Sequence, residues 1–99
     1  MKLFWTETAR HDLLTIRRYI AADNPIAAKR WGERLRERAR NALHAPLAGQ
    51  KVPEFSRDDI RELIEGKYRI VYQVFADRLV VLTVFEGHRL FPEEKVDNS

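Results

Sequence analysis

Two segments in the first half of the chain repeat their apolar residues every three or four positions, which predicts two amphipathic helices. In the first segment the repeating residues are Ala9, Leu13, Ile16 and Ile20, and in the second they are Ala28, Trp31, Leu35, Ala39 and Ala42. Thr6 precedes the first segment and Asn24-Pro25 precedes the second. Since threonine and asparagine cap helices and proline suits the first helical position, both segments have a defined start. The short link between them predicts a helical hairpin that ends near Leu43-His44.

In the second half of the chain the apolar spacing changes to two, which predicts β-strands. Residues 60–64 and 68–75 are the first two of these strands, and the nearly continuous apolar stretch 79–85 predicts a strand covered on both faces. The turns between the three are short, so neighbouring strands should be antiparallel. Residues 46–59 are rich in proline, glycine, serine and aspartate and are predicted to form a loop.

A short apolar stretch at residues 2–5 adds a first strand, and the predicted order is β-α-α-β-β-β. Each helix has an apolar face to bury, so the prediction is an α+β fold with the helical hairpin packed on an antiparallel sheet. The length of 99 residues suits a single domain over 1–99. Residues 90–99 are polar and are expected to form a flexible tail.

The composition narrows the cellular setting and the chemistry. The chain has no cysteine, which excludes disulfides and cysteine-ligated zinc, and no apolar run near the ~20 residues of a membrane span. We therefore expect a soluble cytoplasmic protein. The net charge is +3, with ten basic and five acidic residues in positions 1–50. This basic half suits a nucleic acid or an acidic protein partner, although a solvated helix face is the simpler interpretation.

No sequence motif of a common enzyme class is present: we find no glycine-rich phosphate loop, no HExxH and no GxSxG. The spacing of His11, His44 and His88 does not suggest a metal site, so neither a metal nor a cofactor is expected. His88 remains of interest because it follows the last predicted strand, and strand ends often carry functional groups.

Arg69 and Arg89 are the strongest candidates for chemistry. One lies in a predicted strand and the other follows the next strand, so together they would offer two guanidinium groups to a phosphate or a carboxylate. The alternative, which we weight more heavily, is that each forms a structural salt bridge, for example with Glu62 or Glu86. A similar choice applies to the aromatic and apolar residues of the second helix, which are more often core than binding surface.

Several segments, taken in order, resemble the RelE/ParE family of toxins. They are Trp5…Ala9…Asp12-Leu13…Ile16…Tyr19-Ile20-Ala21…Asn24-Pro25…Ala27-Ala28, Gly49…Val52-Pro53-Glu54, Ile60-Arg61-Glu62-Leu63, Tyr68-Arg69-Ile70-Val71-Tyr72 and Val84-Phe85-Glu86-Gly87-His88-Arg89. The resemblance covers roughly residues 3–90. It implies the α+β fold predicted above and the toxin role of a type II toxin–antitoxin system.

The family divides by target. RelE-like members cut mRNA on the ribosome without a metal, whereas ParE-like members inhibit DNA gyrase and are not known as nucleases. Arg69 and Arg89 match arginines of the RelE-like pattern, but Ile60-Arg61-Glu62-Leu63 replaces the expected lysines and Phe91 follows where a tyrosine is usual. We therefore expect a ParE-like toxin without catalytic residues. The alternative is a metal-independent endoribonuclease that uses Arg69, His88 and Arg89.

The resemblance also implies partners. Arg69, His88, Arg89 and Phe91 are the candidates for contact with the target, which is DNA gyrase or, in the alternative, the ribosome and mRNA. A cognate antitoxin is expected to wrap the helical hairpin in a hetero-oligomeric complex. The candidate antitoxin contacts are Arg17, Arg18, Trp31, Arg34, Leu35 and Arg38. The four arginines suit an acidic segment, and the two apolar residues belong to a stripe that a partner would cover.

Overall fold

The computed structural model describes residues 1–87, in which five strands and two helices follow the predicted order with one added strand. The elements are β1 (Lys2–Trp5), α1 (Glu7–Ala21), α2 (Pro25–Asn41), a 3₁₀ turn (Ala42–His44), β2 (Gln50–Lys51), β3 (Ile60–Glu65), β4 (Tyr68–Val74) and β5 (Arg78–Glu86). The candidates His88, Arg89 and Phe91 and the predicted tail 90–99 lie outside the described residues.

The two helices begin at the residues that the sequence predicts. The Thr6 hydroxyl accepts a hydrogen bond from the backbone N–H of Ala9, and the Asn24 side chain accepts one from Ala27, each at 3.0 Å. Pro25 occupies the first turn of α2, where its missing N–H costs nothing. The predicted hairpin is confirmed, and its 3₁₀ turn ends at His44.

The sheet has the strand order β1-β5-β4-β3-β2. The three long strands form the predicted antiparallel meander, whereas β1 pairs with β5 in parallel and makes the sheet mixed. The added strand, β2, has two residues and pairs antiparallel with β3 inside the segment predicted as a loop. The sequence does not reveal strand β2 or the parallel pairing of β1, because strands of two and four residues are too short to show which neighbour they pair with.

Apolar side chains on the two faces of the sheet form separate cores. The helix-facing core includes Leu13, Leu35, Ala39, Tyr68, Ile70, Tyr72, Leu79 and Val81. The smaller core on the opposite face consists of Val52, Ile60, Val71, Leu82 and Phe85, with Phe55 packed against it. The segment between β2 and β3 thus covers part of the second face, which we call the open face because no helix lies on it.

An irregularity in β5 fixes the position of α1. Val71 pairs with Thr83 and Tyr72 pairs with Val81, so Leu82 is an extra residue that forms a β-bulge. The Leu82 carbonyl accepts a hydrogen bond from the Thr6 hydroxyl, while the buried carboxylate of Asp12 accepts bonds from the Thr83 hydroxyl and the Val84 N–H. The start of α1 therefore satisfies backbone groups that the bulge and the end of β1 would leave unpaired.

Candidate functional site

The open face carries a cavity of about 600 Å³ in which charged side chains meet. Arg69, on the central strand β4, pairs in register with Ile64 on one side and Phe85 on the other. Because side chains alternate along a strand, Glu62 and Ile64 project onto the same face as Arg69. Glu54, in the segment after β2, also lines the cavity.

Arg69 is held by two carboxylates. Its Nε donates a 2.8 Å hydrogen bond to Oε2 of Glu62, and its Nη2 contacts the same oxygen. The Nη2 also lies 3.4 Å from Oε1 of Glu54. The side chains of Arg69 and Glu62 are 11% and 7% exposed, so this ion pair is buried, whereas Glu54 is 31% exposed.

The surroundings of Arg69 determine its charge and its availability. Burial alone would lower the pKa of its guanidinium, but the hydrogen bonds to Glu62 and Glu54 outweigh burial and raise the pKa above the ordinary value. The guanidinium also lies over the Phe85 ring, with Cζ 5.1 Å from the ring centre. The predicted salt bridge with Glu62 is confirmed, and Arg69 is a charged residue already neutralised by its neighbours.

The rim of the cavity adds one cation and a buried phenol. Lys67, in the β3–β4 turn, has its Nζ 5.6 Å from the centre of the Tyr68 ring. Within residues 1–87, Lys67 makes no ion pair. Burial, with smaller contributions from Glu86 and Tyr19, raises the pKa of Tyr68, so its hydroxyl is protonated near neutral pH. The cavity therefore combines two cations with two carboxylates. The Tyr68 hydroxyl keeps its proton and so does not act as a base there.

On the side of α2 that faces the β3–β4 turn, the basic and aromatic side chains already contact one another and the adjoining turn. Arg34 and Arg38 both form ion pairs with Glu65, and the Arg34 guanidinium stacks 4.4 Å from the Trp31 ring centre. Trp31 packs edge-to-face on Tyr68 at 5.2 Å. Its indole also approaches Gly66, where φ is +60° and an added Cβ would lie 2.6 Å from Cη2. Glycine is therefore required at this turn both for its backbone conformation and for the close approach of the ring.

A second basic surface, between α1 and α2, differs from this side of α2. We call it the arginine groove: a depression of about 360 Å³ lined by Trp5, Arg10, Leu13, Leu14, Arg17 and Arg36. Arg17 crosses α2 at Gly32, where an added Cβ would lie 2.9 Å from the arginine Cδ. Among the residues that the structure describes, the three arginines of the groove form no ion pair. The groove thus has an apolar floor and unneutralised positive walls.

The predicted antitoxin contacts fall into different environments. Leu35 is fully buried in the helix-facing core, as the core interpretation of this residue predicts, and Trp31 is half-buried. Arg34 and Arg38 are paired with Glu65. Of the six candidates, only Arg17 lines the groove, while Arg18 is exposed on the outer side of α1.

Sequence reasoning missed several residues of both surfaces. Glu54 lies in a loop and Lys67 in a turn, and both line the same cavity as Arg69. Residues in loops and turns follow no periodic pattern, so the sequence does not show that these side chains lie close together. Arg10 and Arg36 could have been found with Arg17, because Arg10, Leu14 and Arg17 follow helical spacing and lie on one side of α1. What the sequence does not show is which of its many arginines have carboxylate partners.

Two kinds of feature are absent from residues 1–87. No cluster of three or more histidine, cysteine, aspartate or glutamate side chains in this part of the chain is arranged to hold a metal ion. None of the described helices has the length and apolar character needed to cross a membrane.

Comparison with known proteins assigns the chain to a family. Residues 3–91 match the family described as the ParE toxin of the type II toxin–antitoxin system parDE. No significant match was found among curated protein sequences.

Two solved structures share the fold. A chain of the chromosomal ParDE toxin–antitoxin system from P. aeruginosa has a TM-score of 0.71 and 21% identity, over 87% of this chain and 95% of the other. A chain of the RelBE2 toxin–antitoxin complex from Mycobacterium tuberculosis has a TM-score of 0.59 and 23% identity, over 86% and 95% of the two chains. The family match extends over nearly the whole sequence, and the chain therefore belongs to the ParE toxin family of type II toxin–antitoxin systems.

Proposed function

We propose that this toxin inhibits DNA gyrase by binding to it, without catalysing a reaction, and that a cognate antitoxin neutralises it in a cytoplasmic hetero-oligomer. Membership of the ParE toxin family supports the choice of target. The candidate contacts with gyrase are on the open face and after β5: Arg69, His88, Arg89 and Phe91.

The observation that carries the proposal is the buried ion pair between Arg69 and Glu62. A ribonuclease of the RelE type needs cations that are available to the scissile phosphate and to the negative charge that develops on it. Here the central cation of the open face donates two hydrogen bonds to Glu62 and contacts Glu54 as well. Both carboxylates would repel a phosphodiester, so the arrangement suits protein binding better than phosphate chemistry.

The arginine groove supports an acidic, amphipathic antitoxin segment as the neutralising partner. Its floor of Trp5, Leu13 and Leu14 offers apolar contact, and its positive walls offer charge complementarity. The side of α2 that carries Arg34 and Arg38 is a poorer surface for an acidic partner, because Glu65 already neutralises it. We therefore place the main antitoxin contact at Arg10, Arg17 and Arg36.

A supercoiling assay with purified gyrase tests the proposed target. We expect the toxin to reduce supercoiling in a concentration-dependent way, and preincubation with an equimolar amount of antitoxin to restore it. The matched control is the same toxin preparation in the unfolded state. Any inhibition that it causes comes from contaminating polyanions or salts and not from the folded toxin. Unchanged supercoiling at saturating, folded toxin would contradict the proposal.

One structural observation favours the ribonuclease alternative: two cationic side chains, Lys67 and Arg69, line the same cavity. The fold is also shared with a chain of a RelBE2 complex. This alternative predicts ribosome-dependent cleavage of mRNA that is lost in Arg69→Ala and Arg89→Ala variants. Intact mRNA in a translating extract that contains the toxin would contradict the ribonuclease alternative.

A further inference from the structure

Glu54 is the more weakly held of the two carboxylates that bind Arg69 on the open face. Oε1 of Glu54 lies 3.4 Å from Nη2 of Arg69, whereas Glu62 accepts hydrogen bonds from both Nε and Nη2 of the same arginine. Glu54 is 31% exposed and lies in a turn after β2, while Glu62 is 7% exposed and lies within β3. The two carboxylates are therefore unequal: Glu62 is part of the framework, and Glu54 can be exchanged at lower cost.

The charges of the cavity become unbalanced if Glu54 leaves. With both carboxylates present, Glu54 and Glu62 offset Lys67 and Arg69, and the four lining residues sum to zero. Without Glu54 the remaining three sum to +1, which one monovalent anion neutralises. Because the internal occupant is itself a carboxylate on the guanidinium, the vacated position has the shape and charge that suit another carboxylate.

Apolar surface beside this position offers further contact to an incoming chain. Ile64 is 45% exposed although it lies in a central region of the face, next to Arg69 in register. Pro53 is exposed on the other side and also lines the cavity. An acidic side chain flanked by apolar residues would thus bury apolar area and replace one ion pair with another.

We propose that Glu54 occupies a carboxylate-binding site, and that an aspartate or glutamate side chain of the target protein replaces it on Arg69, in the cavity that Lys67 also lines, when the toxin binds. This site deepens the function proposed above and depends on it for the identity of the target. Glu62 stays paired with Arg69 throughout and keeps the guanidinium in place. The ligand is a carboxylate, because the group that it replaces on the guanidinium is itself a carboxylate.

A titration without gyrase tests the site directly. Sodium acetate is added to the ¹⁵N-labelled toxin while the arginine side-chain signals are followed by NMR, with sodium chloride at equal ionic strength as the reference. We expect acetate to shift the Arg69 signals beyond the chloride reference. In Glu54→Gln, which keeps the shape and removes the charge, we expect acetate to bind up to about fivefold more tightly, the range for one exposed ion pair.

The controls separate the site from a general effect of charge. Glu37→Gln removes a carboxylate that pairs with Arg40 on the surface of α2, so acetate binding at Arg69 should equal that of the wild type. Lys67→Gln should weaken acetate binding in the Glu54→Gln background. Equal shifts with acetate and chloride, or equal affinity in Glu54→Gln and the wild type, would overturn the proposal, as would tighter binding of dimethyl phosphate than of acetate.

The gyrase assay then links the site to the target. Glu54→Gln should inhibit supercoiling at a several-fold lower concentration than the wild type, and Glu37→Gln should not. If acetate binds as expected but the wild type leaves gyrase unaffected, the carboxylate site stands and the proposed target fails. If the wild type inhibits gyrase and Glu54→Gln inhibits no better, the target stands and this use of the site is wrong.

Discussion

The open face and the arginine groove both display arginine, but they use it in opposite ways. On the open face Arg69 is 11% exposed and lies between Glu62 and Glu54, with its guanidinium over Phe85. In the groove, Arg10, Arg17 and Arg36 surround an apolar floor and form no ion pair within residues 1–87. The first arrangement neutralises its arginine within the fold, through Glu62 and the exchangeable Glu54, whereas the second leaves its positive charge for a partner.

The difference shows that residue type alone does not identify a binding site in so basic a protein. The helical hairpin contains both kinds of arginine, because Arg34 and Arg38 are tied to Glu65 while Arg10 and Arg17 are not. What separates them is the position of carboxylates brought close by the fold. Removing an arginine should therefore reduce stability in one case and affinity in the other.

The largest expected effect is on stability, in Arg69→Met. This change leaves the carboxylate of Glu62 buried without its cation, and loss of one partner of a buried ion pair costs about 3–5 kcal/mol. Urea unfolding should show this decrease in the free energy of unfolding. The double variant Arg69→Met/Glu62→Leu should recover most of it, because no unpaired buried charge remains. Equal losses in the single and double variants would show that the ion pair is not the cause.

The next effect is on antitoxin affinity, in Arg10→Glu/Arg17→Glu. Reversing two groove charges should weaken binding of the antitoxin by roughly ten- to a hundredfold at low salt, with little change in the urea midpoint. Calorimetry at low and high salt measures this, and high salt should reduce the difference.

A matched variant separates the groove from the overall charge. Lys29→Glu/Arg30→Glu makes the same change in net charge at exposed positions outside the groove lining. It should weaken antitoxin binding much less. Equal weakening by the two double variants would mean that long-range attraction, and not the groove, governs binding.

The smallest effect is the pH dependence of the segment that carries Glu54. A hydrogen bond from Lys51 lowers the pKa of Asp58, and hydrogen bonds from Arg57 lower the pKa of Asp59. Since the folded pKa values lie below the ordinary value of 3.8, these contacts stabilise the fold fully above about pH 4 and are lost as the pH falls through the folded values.

Unfolding in urea at several pH values tests this dependence. The difference in urea midpoint between the wild type and Asp59→Asn should be constant above about pH 4 and should shrink as the pH falls below the ordinary pKa of 3.8. Because the Asp59 side chain is 37% exposed, the difference should be small compared with that of Arg69→Met. A difference that grew toward low pH would contradict the lowered pKa of Asp59.

Much of the fold could be predicted because its signals are local. Helical spacing, the caps at Thr6 and Asn24, and the period of two after residue 60 are all features of neighbouring residues, and the structure confirms the elements they predict. Strand β2 and the parallel pairing of β1 could not be predicted in the same way. They depend on contacts between segments far apart in sequence, and both strands are too short to carry a pattern.

The candidate site was less predictable for the same reason. The sequence offered Glu62 as one of two example partners for the predicted salt bridges of Arg69 and Arg89, and the structure shows the pair between Arg69 and Glu62. The contribution of Glu54 depends on how a long loop folds back, which periodicity does not reveal. The positions proposed at His88, Arg89 and Phe91 lie outside the described residues and stay predictions.

Expression of the toxin without its antitoxin tests the central claim most directly, with the DNA-damage response and the integrity of mRNA measured in the same cells. Inhibition of gyrase by binding predicts growth arrest with filamentous cells, an induced DNA-damage response and intact transcripts. Rapid arrest of translation with cleaved transcripts and no DNA-damage response would contradict the claim, and would make Arg69, His88 and Arg89 the residues to examine as a catalytic set.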